Sequence, residues 1–212
     1  MEICALSFNF PSISCSSSRN EYYSIDQVAV MAQPHSEFNF KILLLGDPAV
    51  GKTSLVTRFV HGKFTKDYLV TVGMEPYSQH LTIGRTPVTL SIWDIAGQKE
   101  FLSLRTIFFK GAKATVLTFD LTRRETFENI WKWYEETDNA TKGQYFLLVG
   151  NKNDLKEQRK VYRREGNQLA RELDRCIGYI ETSALTGYRV EEAFVKLAQK
   201  ILVSEQEKLR RI

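Results

Sequence analysis

Within the stretch 46-GDPAVGKTS-54, Gly46 is followed after four residues by Gly51, Lys52 and Thr53. That spacing suits a loop that cradles phosphates. Backbone N–H groups turn toward anionic oxygens, a following helix adds positive potential, the lysine reaches the terminal phosphates and the hydroxyl is offered to Mg2+. Pro48 and Ala49 stand where such a loop could use flexible glycines, which raises the question of whether it also supports hydrolysis.

The loop alone specifies a nucleoside triphosphate, because ATPases, kinases and GTPases share it. The base is chosen elsewhere. Asn151-Lys152-Asn153-Asp154 follows the strand-like run Tyr145–Gly150, which places an amide and a carboxylate at a strand's C-terminal edge, where parallel sheets bind ligands. A carboxylate accepts from guanine's ring N–H and its exocyclic amine together, whereas adenine presents no such pair, so Asp154 favours guanine. On its own the tetrapeptide reads as a turn with a solvated charge. Downstream of a phosphate loop and ahead of Glu181-Thr-Ser-Ala184, it reads as a base-recognition loop.

The elements that must position these residues alternate between strand-like and helical runs. They imply an α/β fold, a six-stranded, mostly parallel sheet with one antiparallel edge strand, flanked by about five helices, and the phosphate loop between strand and helix makes it the P-loop NTPase type. Strands are expected at 39–45, 75–83, 87–94, 113–120, 145–150 and 177–181. Gly84-Arg85-Thr86 makes a hairpin of the second and third, and Pro76 puts the second on the sheet edge. Helices are expected at 52–61, 102–110, 124–140, 163–174 and 188–210.

With 212 residues, 43% of them hydrophobic, the chain can bury one well-formed core. Residues 1–37 are serine-rich and lack a sustained period, so they are expected to be a flexible extension; 38–203 form the domain and 204–212 a helix end or tail. A balance of 29 Lys and Arg against 25 Asp and Glu leaves a net charge of +4, too even to argue for nucleic acid. Cys4, Cys15 and Cys176 form neither a metal-ligand spacing nor a disulfide framework. No run approaches the ~20 apolar residues of a membrane span, and Glu2 and Pro11 speak against a signal peptide. A cytoplasmic monomer is expected.

Taken together, GDPAVGKT, Tyr68-Leu-Val-Thr71-Val-Gly73, Trp93-Asp-Ile-Ala-Gly-Gln98, NKND and ETSA resemble the motifs of the Ras superfamily of small GTPases, in order and spacing. Phe108-Phe109-Lys-Gly-Ala and Thr126-Phe-Glu-Asn-Ile-Trp-Lys-Trp bring the resemblance closest to the Rab branch. It covers about residues 38–203. The resemblance implies GTP or GDP with Mg2+, slow hydrolysis, and a switch whose partners are an exchange factor, a GTPase-activating protein and an effector, meeting residues 63–76 and 95–110.

By position, Gln98 would orient the attacking water, with Lys52 and Thr71 completing the catalytic set. Thr53, Thr71 and Asp94 would hold Mg2+, and the Gly97 N–H would meet the γ-phosphate. The remaining nucleotide contacts implied are Asp47, Ala49, Val50, Gly51, Ser54, Tyr68 as a lid, Phe64 and Lys152 flanking guanine, Asn151, Asp154, Leu155, Ser183, Ala184 and Leu185.

Four positions depart from the family. Pro48 adds a ring and removes a donor, Leu185 replaces a usual lysine, and Pro76 replaces an aromatic of an effector-reading cluster with Trp93 and Phe109. The end Glu207-Lys-Leu-Arg-Arg-Ile212 carries no cysteine for a prenyl anchor, so no stable lipid attachment is expected, leaving peripheral membrane association as the alternative to a purely cytoplasmic life. Pro48 motivates a rival reading as a GTP-binding interaction module with negligible hydrolysis; an ATP-using P-loop enzyme is a second rival.

Overall fold

The computed structural model describes residues 38–64, 71–97 and 107–211. In chain order the elements are β1 (Phe38–Leu45), α1 (Lys52–His61), β2 (Met74–Ile83), β3 (Thr86–Ile95), β4 (Ala114–Asp120), α2 (Arg124–Glu128), α3 (Ile130–Ala140), β5 (Tyr145–Asn151), α4 (Arg163–Glu172), β6 (Cys176–Glu181) and α5 (Val190–Leu209). The strands form one sheet in the order β2-β3-β1-β4-β5-β6, parallel except for the antiparallel β2–β3 pair at one edge.

This order follows from the pattern of the strands. β4 and β5 are almost wholly buried, and β1 is buried from Ile42 to Leu45, as strands covered on both faces must be, whereas β2 alternates between half-buried and exposed residues. Within β1, Ile42 and Leu44 point into a core shared with α1 and α5, through Leu55, Val56, Phe194, Leu197 and Ile201. Leu43 and Leu45 point into the opposite core, with Phe119, Ile130, Trp133, Phe146 and Leu169. The chain leaves β1 toward β3 on one side and later returns to β4 on the other. The resulting crevice lies beside the C-terminal end of β1, where the residues of the phosphate loop begin.

The expected strands agree with the observed ones to within a residue at each end. The helix expected over 124–140 is instead two, broken at Asn129, whose ψ of −6 lies off the helical value. The break has a cause, because the Asn129 amide donates to Asp47 Oδ2 at 2.7 Å, and a short polar side chain with a tertiary partner is a weak helix former. Of the helix expected over 102–110, residues 107–109 are helical and 102–106 lie outside the described residues, as does the expected extension 1–37. α5 runs without interruption past residue 203 to Leu209.

The Phe59 and Phe194 rings stack at 4.3 Å and join α1 to α5, which packs on the sheet in the same core as Ile42 and Leu44. Phe194→Ala is expected to destabilise the protein by about 3–5 kcal/mol, read as a lower urea midpoint with an unchanged slope.

Candidate functional site

The phosphate loop, residues 46–51, runs from β1 into α1 with few conformational choices left to it. Lys52 is 6% exposed and its Nζ donates to the carbonyls of Gly46 at 2.8 Å and Asp47 at 3.0 Å. The next three carbonyls are taken by side chains from distant segments: Pro48 O by Arg123 at 2.8 Å, Ala49 O by Lys152 at 3.0 Å and Val50 O by Asn151 at 2.9 Å. In a planar trans peptide the N–H points opposite to the C=O. Holding those carbonyls therefore aims the N–H groups of Ala49, Val50 and Gly51 away from the residues that hold them.

Gly97 explains why no larger residue fits after Ala96. A Cβ there would come within 2.6 Å of Asp47 C, Gly46 O and Pro48 N, so the Gly97 backbone lies against the phosphate loop. Gly51, at φ 93, would meet the Asn151 amide if it carried a Cβ. Ala49 holds a left-handed φ of 60 without being glycine, which stores roughly 1–2 kcal/mol of strain.

At the start of α1 a cluster of oxygens forms. Thr53 Oγ1 lies 2.5 Å from Asp94 Oδ2 and 2.8 Å from Thr71 Oγ1, with Thr71 Oγ1 3.5 Å from the same carboxylate. Asp94 is fully buried, and its Oδ1 has no hydrogen-bond partner among the described residues. Burial pushes the Asp94 carboxyl above the ordinary carboxylate range, although the Thr53 hydroxyl and the Lys52 ammonium favour its charged form. A buried carboxylate with one orphaned oxygen beside two hydroxyls fits a hard cation that takes oxygen ligands. Among the described residues there is no group of three or more His, Cys, Asp or Glu side chains suited to a metal, so such an ion would need further oxygens from phosphate or water.

Beside the phosphate loop opens a cleft of about 440 Å³, lined by Ala49, Ser54, Phe64, Lys152, Asp154, Leu155 and Leu185, among others. Its volume is within the range of small-molecule sites. Asp154 is held by the Ser183 hydroxyl at 2.5 Å, and Ser183 in turn accepts the Thr186 N–H at 3.1 Å. Asn151 joins three segments, because its Oδ1 also accepts from the Ala184 N–H at 3.2 Å and the Thr182 hydroxyl at 3.3 Å. In this arrangement the Ala184 N–H, assigned from the resemblance to guanine, is engaged by Asn151.

Several expected residues act differently in place. The Asp47 carboxylate turns away from the loop to accept from Asn129 and from Trp133 Nε1 at 2.8 Å, leaving only its backbone for a ligand. Val50 is fully buried in the core, so it too can offer only its backbone. Phe109 is fully buried, and it is Phe108 that packs on Trp93, at 6.0 Å, beside Pro76 across the β2–β3 ladder; the aromatic cluster expected from Trp93 and Phe109 is corrected accordingly. Gln98 and Tyr68 lie outside the described residues.

Three residues that sequence reasoning passed over complete the site. Arg58 of α1 donates to the carbonyls of Ala184 at 2.8 Å and Leu185 at 2.6 Å, which fixes the segment after β6. Asp120, at the end of β4, is 1% exposed and binds Lys152 at 2.7 Å and Arg123 at 3.1 Å. An acid closing a strand of otherwise uncharged residues, ATVLTFD, was the available signal for Asp120. Nothing in the local sequence marks Arg123 or Arg58.

Comparison with known proteins agrees with this geometry. The model of the Ras family matches residues 41–203. The Ras-related protein Rab-13 of Rattus norvegicus is 40% identical over 165 residues, which cover 77% of this chain and 80% of that protein. Its counterparts in Bos taurus and Mesocricetus auratus are each 39% identical over the same lengths.

The raised Asp94 pKa gives a signed expectation. A carboxyl whose folded pKa lies above its unfolded value favours the fold below the unfolded pKa, and that benefit is lost as pH rises through the folded pKa. At neutral pH, Asp94→Asn is therefore expected to raise the melting temperature of the nucleotide-free protein, while weakening Mg2+-dependent nucleotide binding by about tenfold or more. Differential scanning fluorimetry and a fluorescent-nucleotide titration would measure the two effects.

Proposed function

The chain belongs to the Ras family of GTP-hydrolysing small GTPases, and we propose that it works as a Mg2+-dependent, Rab-like switch that hydrolyses GTP slowly, of the signalling or intracellular-trafficking type. The observation that carries this reading is the Thr53–Asp94–Thr71 cluster. It brings a residue that precedes β2 onto the same oxygens as the first turn of the phosphate-binding helix, so ligand occupancy and the placement of residues 71–73 become one event.

In the proposed ground state, the N–H groups of Ala49, Val50 and Gly51 hold the phosphates, with Lys52 and Thr53 beside them. Asp154, Phe64, Lys152, Leu155 and Leu185 form the base cleft, and Asn151 joins it to the phosphate loop. Thr53, Thr71 and Asp94 would hold Mg2+, which, when bound, neutralises phosphate charge as it shifts during cleavage. Gln98 orients the attacking water, and the Gly97 N–H senses the terminal phosphate. Loss of that phosphate removes the reason for 71–73 and 96–97 to stay on the site, and the surface around 63–76 and 95–110 changes for partners.

Slow turnover is supported by the placement of Arg123. Its guanidinium is bound to the Pro48 carbonyl and to Asp120, so it serves the frame of the loop, and transition-state charge is left for a partner to stabilise. Exchange factor, activating protein and effector are the partner classes this implies. Among the described residues no helix is long and apolar enough to cross a membrane.

Single-turnover hydrolysis tests the reading directly. Wild-type protein is expected to cleave GTP at an intrinsic rate on the order of 10⁻⁴ to 10⁻³ per second, and Gln98→Leu to lower it by about tenfold or more; equal rates would remove Gln98 from catalysis and favour a binding module. Asp154→Asn is expected to weaken GDP binding by roughly 100-fold, from the loss of hydrogen bonds to a charged acceptor, measured by isothermal titration. Retained GDP affinity in that variant would place guanine recognition elsewhere.

A further inference from the structure

Asp120 and Arg123 lie outside the loops that would touch the nucleotide, yet Arg123, held by Asp120, reaches the phosphate loop at Pro48. We propose that they form a positioning pair, fixing the Pro48–Ala49 peptide and joining it through Lys152 to the base cleft. The inference rests on the nucleotide site proposed above.

Proline locks φ at Pro48, and no N–H is present there to meet a phosphate. The freedom that remains is ψ, which turns the Pro48 carbonyl and, with it, the N–H of Ala49. Arg123 Nη2 takes that carbonyl at 2.8 Å while its Nε holds Asp120 Oδ2 at 3.1 Å. The same carboxylate oxygen binds Lys152 Nζ at 2.7 Å, and Lys152 takes the Ala49 carbonyl at 3.0 Å. Asp120 Oδ1 is anchored by the Thr122 N–H at 2.8 Å and its hydroxyl at 2.7 Å. One buried carboxylate thus sets two cations against two successive carbonyls, and so aims two successive N–H groups. It also gives Lys152, a wall of the base cleft, and Arg123 a common support.

Two restraints then act on one peptide, the ring of Pro48 on φ and the guanidinium of Arg123 on ψ. Relaxing either alone leaves the other in place. Relaxing both should loosen the loop by more than the product of the separate effects, which residues that merely stabilise the fold would not do.

The test uses the full chain loaded with fluorescent GDP and Mg2+, with GDP release followed in wild type, Arg123→Ala, Arg123→Lys, Pro48→Gly and the Arg123→Ala/Pro48→Gly double variant. Arg123→Ala is expected to speed release by about tenfold, with Arg123→Lys intermediate because lysine keeps the charge and loses the fork. In the Pro48→Gly background the same change should speed release by at least about threefold more than in wild type. Release from Arg123→Ala indistinguishable from wild type, or an equal factor in both backgrounds, would overturn the inference while leaving the nucleotide site intact. Failure of the wild-type protein to hold GDP would overturn both.

Discussion

The site depends on where the carbonyls of the phosphate loop are held. Between Pro48 and Val50 each is engaged by a side chain from a segment more than 70 residues away, and Lys52 engages the two before them. Because the peptide is planar, each bond sets the direction of an N–H group as well. A loop with four residues between its glycines makes neither helix nor ladder, and its carbonyls from Gly46 to Val50 take side-chain donors instead. That the donors come from the cleft beside the loop and from the end of β4 makes loop and cleft parts of one assembly.

The sheet makes this possible. β4 and β5 lie side by side in parallel, with Asp120 in register with Asn151, and both strands end beside the phosphate loop next to β1. Their last residues, an acid and an amide, are buried and committed to holding loops. The fold carries costs near this edge: a buried Asp94 with an oxygen that has no hydrogen-bond partner among the described residues, and a left-handed Ala49. Both lie where a ligand's cation and phosphates would compensate them, as strain and unsatisfied groups at functional sites tend to be.

Much of this is legible in the sequence. The strand periods located all six strands, and Pro76 placed β2 on the edge. The phosphate loop and the tetrapeptide Asn151–Asp154 are readable because the groups that mark each lie close together in sequence. What stayed hidden was set by contacts between distant segments. The break at Asn129 comes from a bond to Asp47 across 82 residues, and the same bond turns the Asp47 carboxylate away from the ligand. Arg123 meets Pro48 across 75 residues, in a charged stretch that reads as solvated surface. Phe108 and Phe109 are adjacent and chemically identical, so only packing could tell which one meets Trp93.

On this reading the base cleft, the phosphate loop and the cation cluster would act as one assembly held by Asp120, Asn151 and Lys52. A crystal structure with Mg2+ and a non-hydrolysable GTP analogue tests it most directly. The guanine edge is expected on Asp154, Mg2+ on Thr53 and Thr71 with Asp94 beside it, and the carbonyls of Pro48, Ala49 and Val50 still on Arg123, Lys152 and Asn151. A guanine seated away from Asp154, or a phosphate loop whose carbonyls have left those three side chains, would contradict it.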